Sequence, residues 1–259
     1  MTTSHTRMPA VYVGHGSPMN AITDTKFSRA WAALGAALPR PRAIAVISAH
    51  WFVPGTAVTA EPNPKTIHDF GAFPKALFDV RYPAPGDPAL AAEIAEMLAP
   101  TPVRLDTSWG FDHGAWSVLV HLYPKADIPV VEIAIDSEQP PARHFELGGR
   151  LAPLRERGVL VIACGNVVHN LEHIDFSATA PFPWAVRFDE FAKAALERRD
   201  DRALIDYEMN PDAILAAPDE DHYYPLLYAA GIRHNDDALR FIVEGFDAGS
   251  ISMRAFTLS

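Results

Sequence analysis

Five histidines in the sequence stand where chemistry could use them. His15 is bracketed in Gly14-His15-Gly16-Ser17-Pro18, His50 closes an apolar run, His113 sits in Asp112-His113-Gly114, His169 ends Gly165-Asn166-Val167-Val168-His169, and His222 opens a second apolar stretch. Imidazole ligates zinc and iron and also titrates near neutrality, so such a set suits a mononuclear metal site with open positions, or proton transfer beside one. Glycine on both sides of His15 removes side-chain bulk and is expected to let an ion or substrate approach the ring. Rival signatures are missing: there is no HExxH, no GxSxG and no P-loop, and Met19 stands where a dinucleotide fingerprint needs its third glycine.

These side chains must be delivered by regular elements. Residues 10–13, 43–49 and 158–164 are continuous apolar runs, the pattern of parallel strands covered on both faces. The second of them ends on His50-Trp51. Further strands are expected over 56–60, 102–106, 128–135, 239–245 and 250–258. Helical periodicity marks 24–38 capped by Asp24, a helix opening at Asp87-Pro88, and further helices over 115–123, 141–157, 183–198 and 201–207. Residues 61–86 read as a long ordered loop with room for one helical turn, a binding loop or lid by its length. Its Phe70 and Phe73 either wall a pocket or pin the loop to the surface, and His68 is a pocket candidate without a role.

Strand and helix alternate, so the chain is expected to be α/β: a single domain over 1–259 after a tail of residues 1–8, with a mostly parallel or mixed central sheet flanked by helices. In open α/β sheets ligands bind beyond the carboxyl ends of the strands. His15, His50 and His169 can therefore converge there as a metal site; the alternative is a set of separate packing histidines. His5, His121, His144, His173 and His234 are expected on the surface or in packing.

Bulk composition narrows the partners. A formal net charge of −10 and no basic run exclude a general nucleic-acid binder and disfavour anionic membranes. No apolar run reaches the roughly 18 to 20 residues that span a bilayer, and the N-terminus lacks a signal-peptide core. A cytoplasmic protein is expected, monomeric or a simple dimer for want of a heptad repeat. The lone Cys164 excludes an intrachain disulfide and a multi-thiolate zinc motif.

Six motifs in order, Gly14-His15-Gly16-Ser17-Pro18-Met19-Asn20, Ser48-Ala49-His50-Trp51, Lys65-Thr66-Ile67-His68-Asp69-Phe70-Gly71, Asp112-His113-Gly114, Gly165-Asn166-Val167-Val168-His169-Asn170 and His222-Tyr223-Tyr224-Pro225-Leu226, resemble the 4,5-DOPA extradiol dioxygenases, which are class III ring-cleaving enzymes. The resemblance spans residue 9 to the C-terminus. It implies a metal-dependent enzyme that opens a catechol such as DOPA with O2, using Fe(II) at a site that Zn(II) can also occupy. By the same resemblance His15, His50 and His222 bind the metal, His169 is a further ligand or the acid/base histidine, and His113 contacts substrate. Trp51, Phe70, Phe73 and Trp116 would form an aromatic, partly dry pocket. Many class III enzymes use two histidines and a glutamate; here Asp219-Glu220-Asp221 precedes His222, so a carboxylate could take its place. A zinc hydrolase on the same scaffold, or a non-catalytic binding relative, are the other readings.

Overall fold

The computed structural model describes residues 7–259. His5 and most of the expected tail lie outside them. The tail's last two residues are held: Met8 is buried and Arg7 pairs with Asp236 and Asp237.

The apolar runs become β1 (Ala10–Gly14), β2 (Ala43–Val53), β5 (Val130–Asp136) and β6 (Val159–Gly165), with β3 (Thr56–Thr59) and β4 (Val103–Asp106) between them in sequence. The C-terminal segment adds β7 (Leu239–Val243), β8 (Phe246–Asp247), β9 (Ile251–Ser252) and β10 (Ala255–Leu258). One eight-stranded sheet runs β4-β3-β5-β2-β6-β1-β10-β7. Its centre is parallel, from β5 through β2 and β6 to β1, whereas β3 and β10 lie antiparallel to their inner neighbours. The sheet is thus mixed, as expected. The two closing strands are instead four, because Gly245 turns the chain at a φ of +131° and β8 pairs with β9 in a separate hairpin.

Side-chain alternation divides the core between two faces. Ala43, Ala45 and Ile47 of β2 and Val161 of β6 pack on one side with α3 (Pro88–Met97), α5 (Pro141–Leu151), α6 (Pro183–Arg198) and α9 (Tyr224–Ile232). Ile44, Val46 and Ile162 pack on the other with α1 (Lys26–Ala37) and α4 (His113–Leu122). Short helices α2 (Lys75–Phe78), α7 (Asp201–Ile205) and α8 (Ala213–Ala216) sit in the connections, and α2 is the single turn expected in the 61–86 loop. Each fully buried aliphatic side chain contributes about 1.5–3 kcal/mol. A sheet covered on both faces therefore has margin to hold unpaired polar groups at one end.

Three of the boundaries that differ from the sequence reading have a local cause. Thr25, not Asp24, caps α1, accepting from the Ser28 N–H in a capping box while Asp24 pairs with Arg29. α5 ends at Leu151 because Pro153 follows in a 3-10 turn, Ala152–Leu154. β2 does not stop at Trp51. Its pairing with β5 jumps from Ile47↔Ile133 to Phe52↔Ile135, so extra residues of β2 bulge out before the ladder resumes.

One buried side chain ties the segment entering β1 to the end of β10. The Arg155 guanidinium donates to the carbonyls of Met8 (2.7 Å) and Leu258 (2.9 Å) and forms a bidentate pair with Asp237, both partners fully shielded from solvent.

Candidate functional site

β2, β6 and β1 are adjacent in the sheet, so their carboxyl ends lie side by side, with Gly14 opposite Gly165 and Ser48 opposite Cys164. His15 follows β1 directly. The β2 bulge, a device that re-aims side chains at the rim of a sheet, carries His50. His222 arrives from the far side on the turn entering α9, tied to β6 by the Asn166 N–H donating to its carbonyl at 2.8 Å. The rings of His15, His50 and His222 lie 4.9–5.3 Å apart between centroids, and one nitrogen of each falls within 4.8 Å of the others.

Their hydrogen bonding is asymmetric in the same sense. His15 Nδ1 donates to the Gly16 carbonyl (2.9 Å), His222 Nδ1 to the Asp221 carboxylate (2.9 Å), and His50 Nδ1 lies 3.3 Å from Asp69. All three Nε2 atoms are buried without a partner among the described residues. Fixing the proton on Nδ1 leaves a bare lone pair on Nε2, the arrangement an outer hydrogen bond imposes on a metal-ligating histidine. Burial first, then the neighbouring imidazoles, pull the pKa of His15 and His50 well below the ordinary histidine value. Both are therefore neutral near pH 7. Three imidazole nitrogen donors fit a divalent cation of borderline softness and leave coordination positions open.

His169 stands apart from that trio. Its ring stacks on His222, 3.5 Å between centroids and 5° from parallel, and it lines the cavity. Burial and the His222 ring push its pKa down too. His113 begins α4, with Asp112 as its cap, and its ring lies 3.8 Å from that of His50. A second convergent set, His50, Asp69 and His113, shares His50 with the first. In it the carboxylate sits between two Nδ1 atoms and also takes the His113 backbone N–H at 2.9 Å, so its oxygens are already engaged. Burial would raise the Asp69 carboxyl, but its contacts with His113 outweigh this and hold it below the ordinary range. Asp221 is held low in the same way by His222.

Above the imidazoles lies a cavity of about 540 Å³. Phe70 and Phe73 form an aromatic wall, edge to face at 5.3 Å, with Phe70 also against His113. Two expected wall residues are elsewhere. Trp51 is 2% exposed and stacks on Trp109 beside Ala57 and Ala134, because neighbouring side chains in a strand point to opposite faces and His50 takes the site side. Trp116 is buried behind Phe70 and bonds the Ile67 carbonyl; His68 packs there too, with its Nε2 on the Val80 carbonyl. The glycines beside His15 serve the scaffold. A Cβ at Gly14 would strike the Ser252 carbonyl at 2.7 Å, and Gly16 has a φ of +57°. Nor does the acidic run replace His222: Asp221 supports its ring.

Asp69 was not assigned a role by sequence reasoning, though it follows His68 in a motif. Buried Glu132 was missed as well; it accepts from Trp109 Nε1 at 2.9 Å and from the Asp112 N–H, and burial followed by the nearby Asp112 raises its carboxyl well above the ordinary range. Its only sequence signal is an acid inside an apolar strand. Among the remaining histidines, His121 bonds the Asn20 carbonyl, His234 contacts Glu156, His173 lies against Asn170, and His144 is buried in packing.

Residues 1–249 match the family described as the catalytic LigB subunit of aromatic ring-opening dioxygenase. The chain is 51% identical over 255 residues to the 4,5-DOPA dioxygenase extradiol of Escherichia coli K12, covering 96% of this chain and 94% of that one. It is 36% identical to the protein of that name from Beta vulgaris, covering 95% and 94%. A crystal structure of an uncharacterized Escherichia coli K12 protein superposes with a TM-score of 0.87 at 45% identity, covering 98% of this chain and all of that one. No helix among the described residues is long and apolar enough to cross a membrane. By the family match and these identities, the chain belongs to the LigB family of aromatic ring-opening dioxygenases, and its activity is extradiol ring cleavage.

Proposed function

We propose that the chain, as one catalytic domain over residues 1–259, opens catechols such as DOPA at an Fe(II) ion held by His15, His50 and His222. The three partnerless Nε2 atoms beneath an aromatic-walled cavity carry this reading. When bound, the metal gives the catechol and O2 a common meeting point, and ring opening needs a redox-active ion that zinc, without redox chemistry, does not replace. Both atoms of O2 enter the product as the carbon–carbon bond beside the diol breaks, so no external reductant is consumed.

The residues divide the remaining work. His169, outside the ligand trio and neutral near pH 7, takes a catechol proton and returns it to the opening product. His113 hydrogen-bonds a catechol oxygen, oriented by Asp69. Phe70 and Phe73 hold the flat ring and exclude water. The DOPA dioxygenase names of the relatives support the catechol class.

The test is anaerobic reconstitution of metal-free protein with Fe(II) or Zn(II), followed by L-DOPA or a simpler catechol in oxygenated buffer. Oxygen uptake with a yellow ring-opened product is expected for Fe(II) and none for Zn(II). Absence of turnover with Fe(II) across a catechol panel would overturn the reading.

A further inference from the structure

Two carboxylic acids lie buried against each other beside the site but outside its cavity. Asp112, at the entry to α4, and Glu132, on β5, are both fully shielded from solvent, and their carboxyl groups are in hydrogen-bond contact. No lysine or arginine pairs with either among the described residues. Cys164, a titratable neighbour on β6, adds no charge, because burial pushes its thiol up.

The two groups are supplied with donors unequally. Asp112 Oδ1 accepts from the Ser48 hydroxyl at 2.7 Å and from the Ala115 N–H at 3.1 Å, and it sits at the positive end of α4. Its Oδ2 is buried and receives no N–H or hydroxyl from the described residues. Glu132 accepts from Trp109 Nε1 at one oxygen and, at a longer 3.3 Å, from the Asp112 N–H at the other. Two carboxylates in such contact do not both ionise in a buried place, and a buried acceptor without a donor is costly. One retained proton removes both penalties. Asp112, with two short donors and a helix end, is the better place for the charge, which leaves the proton on Glu132. Burial, followed by the Asp112 charge, raises the Glu132 carboxyl in the same sense.

We infer that Glu132 is a neutral carboxylic acid whose O–H donates to Asp112 Oδ2, and that this bond positions His113 for the catechol. Asp112 caps α4 and His113 is its first residue, so the carboxylate that Glu132 holds fixes the helix start from which the His113 ring meets the cavity. Glu132 grips the same segment a second time through Trp109. The effect on turnover rests on the catechol reading above, whereas the retained proton does not.

Infrared spectra of the Fe(II)-loaded protein, kept anaerobic at neutral pH, read the proton directly. A protonated-carboxyl stretch is expected that shifts when glutamate is isotope-labelled and is lost in Glu132→Gln. Its absence from the native protein, its insensitivity to the label, or its survival in Glu132→Gln overturns the inference. Steady-state oxygen uptake with a catechol reads the positioning. Glu132→Leu leaves Asp112 Oδ2 without a donor and should lower kcat/KM about 10–100-fold with iron stoichiometry unchanged. Glu132→Gln, which offers a neutral N–H donor in the same place, should retain most of the native kcat/KM. A Gln variant as impaired as the Leu variant, an unimpaired Leu variant, or loss of iron from the Leu variant overturns the positioning role. Should Glu132→Leu not fold, the native protein and Glu132→Gln, compared by spectrum and by kcat/KM, decide. If the native protein turns over no catechol while the carboxyl stretch behaves as expected, the catechol reading fails and the hydrogen bond stands.

Discussion

Two kinds of buried histidine occur in this chain, and they teach opposite lessons. His144, on α5 against α9, is fully shielded and has both ring nitrogens engaged: Nε2 donates to the Gln139 carbonyl at 3.1 Å and Nδ1 accepts from the Tyr228 hydroxyl at 3.2 Å. His15, His50 and His222 each have one nitrogen tied and one bare. Burial lowers the pKa of His144, to about 4, as it lowers those of His15 and His50. Depressed basicity therefore does not mark the site. What separates the two groups is the unpaired nitrogen: three bare Nε2 atoms converge on one cavity, where an ion from outside the chain completes them.

The contrast can be broken most severely at the bare nitrogens. Alanine at His15, His50 or His222 should abolish stoichiometric metal, measured by elemental analysis, and cut turnover by more than the 10–100-fold typical of losing an outer partner. Next comes His169→Asn, expected to lower kcat by about 10²–10⁴ with metal retained; loss of the metal would make His169 a ligand. Asp221→Ala removes the acceptor that orients His222, and metal affinity should fall about 10–100-fold in a competition titration with a chelator.

The smallest effect sharpens the comparison from the satisfied side. His144 has a folded pKa near 4 against an ordinary 6.5. Above pH 6.5 it is neutral in both states, and between 6.5 and about 4 only the unfolded chain takes up the proton, so stability falls across that window. The urea midpoint should drop less from pH 7 to pH 4.5 in His144→Gln than in the native protein. Equal slopes would assign the acid sensitivity elsewhere.

Much of this was readable in the residues. Continuous apolar runs identified β1, β2 and β6, and the rule that ligands gather at strand ends put His15, His50 and His169 at one edge. The rule could not say that His169 stacks on His222 while His222 joins the trio, because that depends on how the turn before α9 folds over β6. Trp51 was misplaced by adjacency, since the residue after a site-facing one in a strand points away. Asp69 escaped assignment because its loop has no periodicity to fix side-chain direction. The broken strands after residue 238 depended on a left-handed turn at Gly245 that a run of apolar residues does not announce.

The Arg155 knot has a topological consequence. Because one guanidinium holds the carbonyls of Met8 and Leu258, and Ala10 pairs with Leu258 across β1 and β10, the segments entering β1 and leaving β10 lie close together at the end of the sheet away from the site. The order in which the strands are strung is thus separable from how they pack. A linker of a few residues could join Arg7 to Ser259, and new termini opened at the exposed Thr179-Ala180 would give a circular permutant with the same sheet.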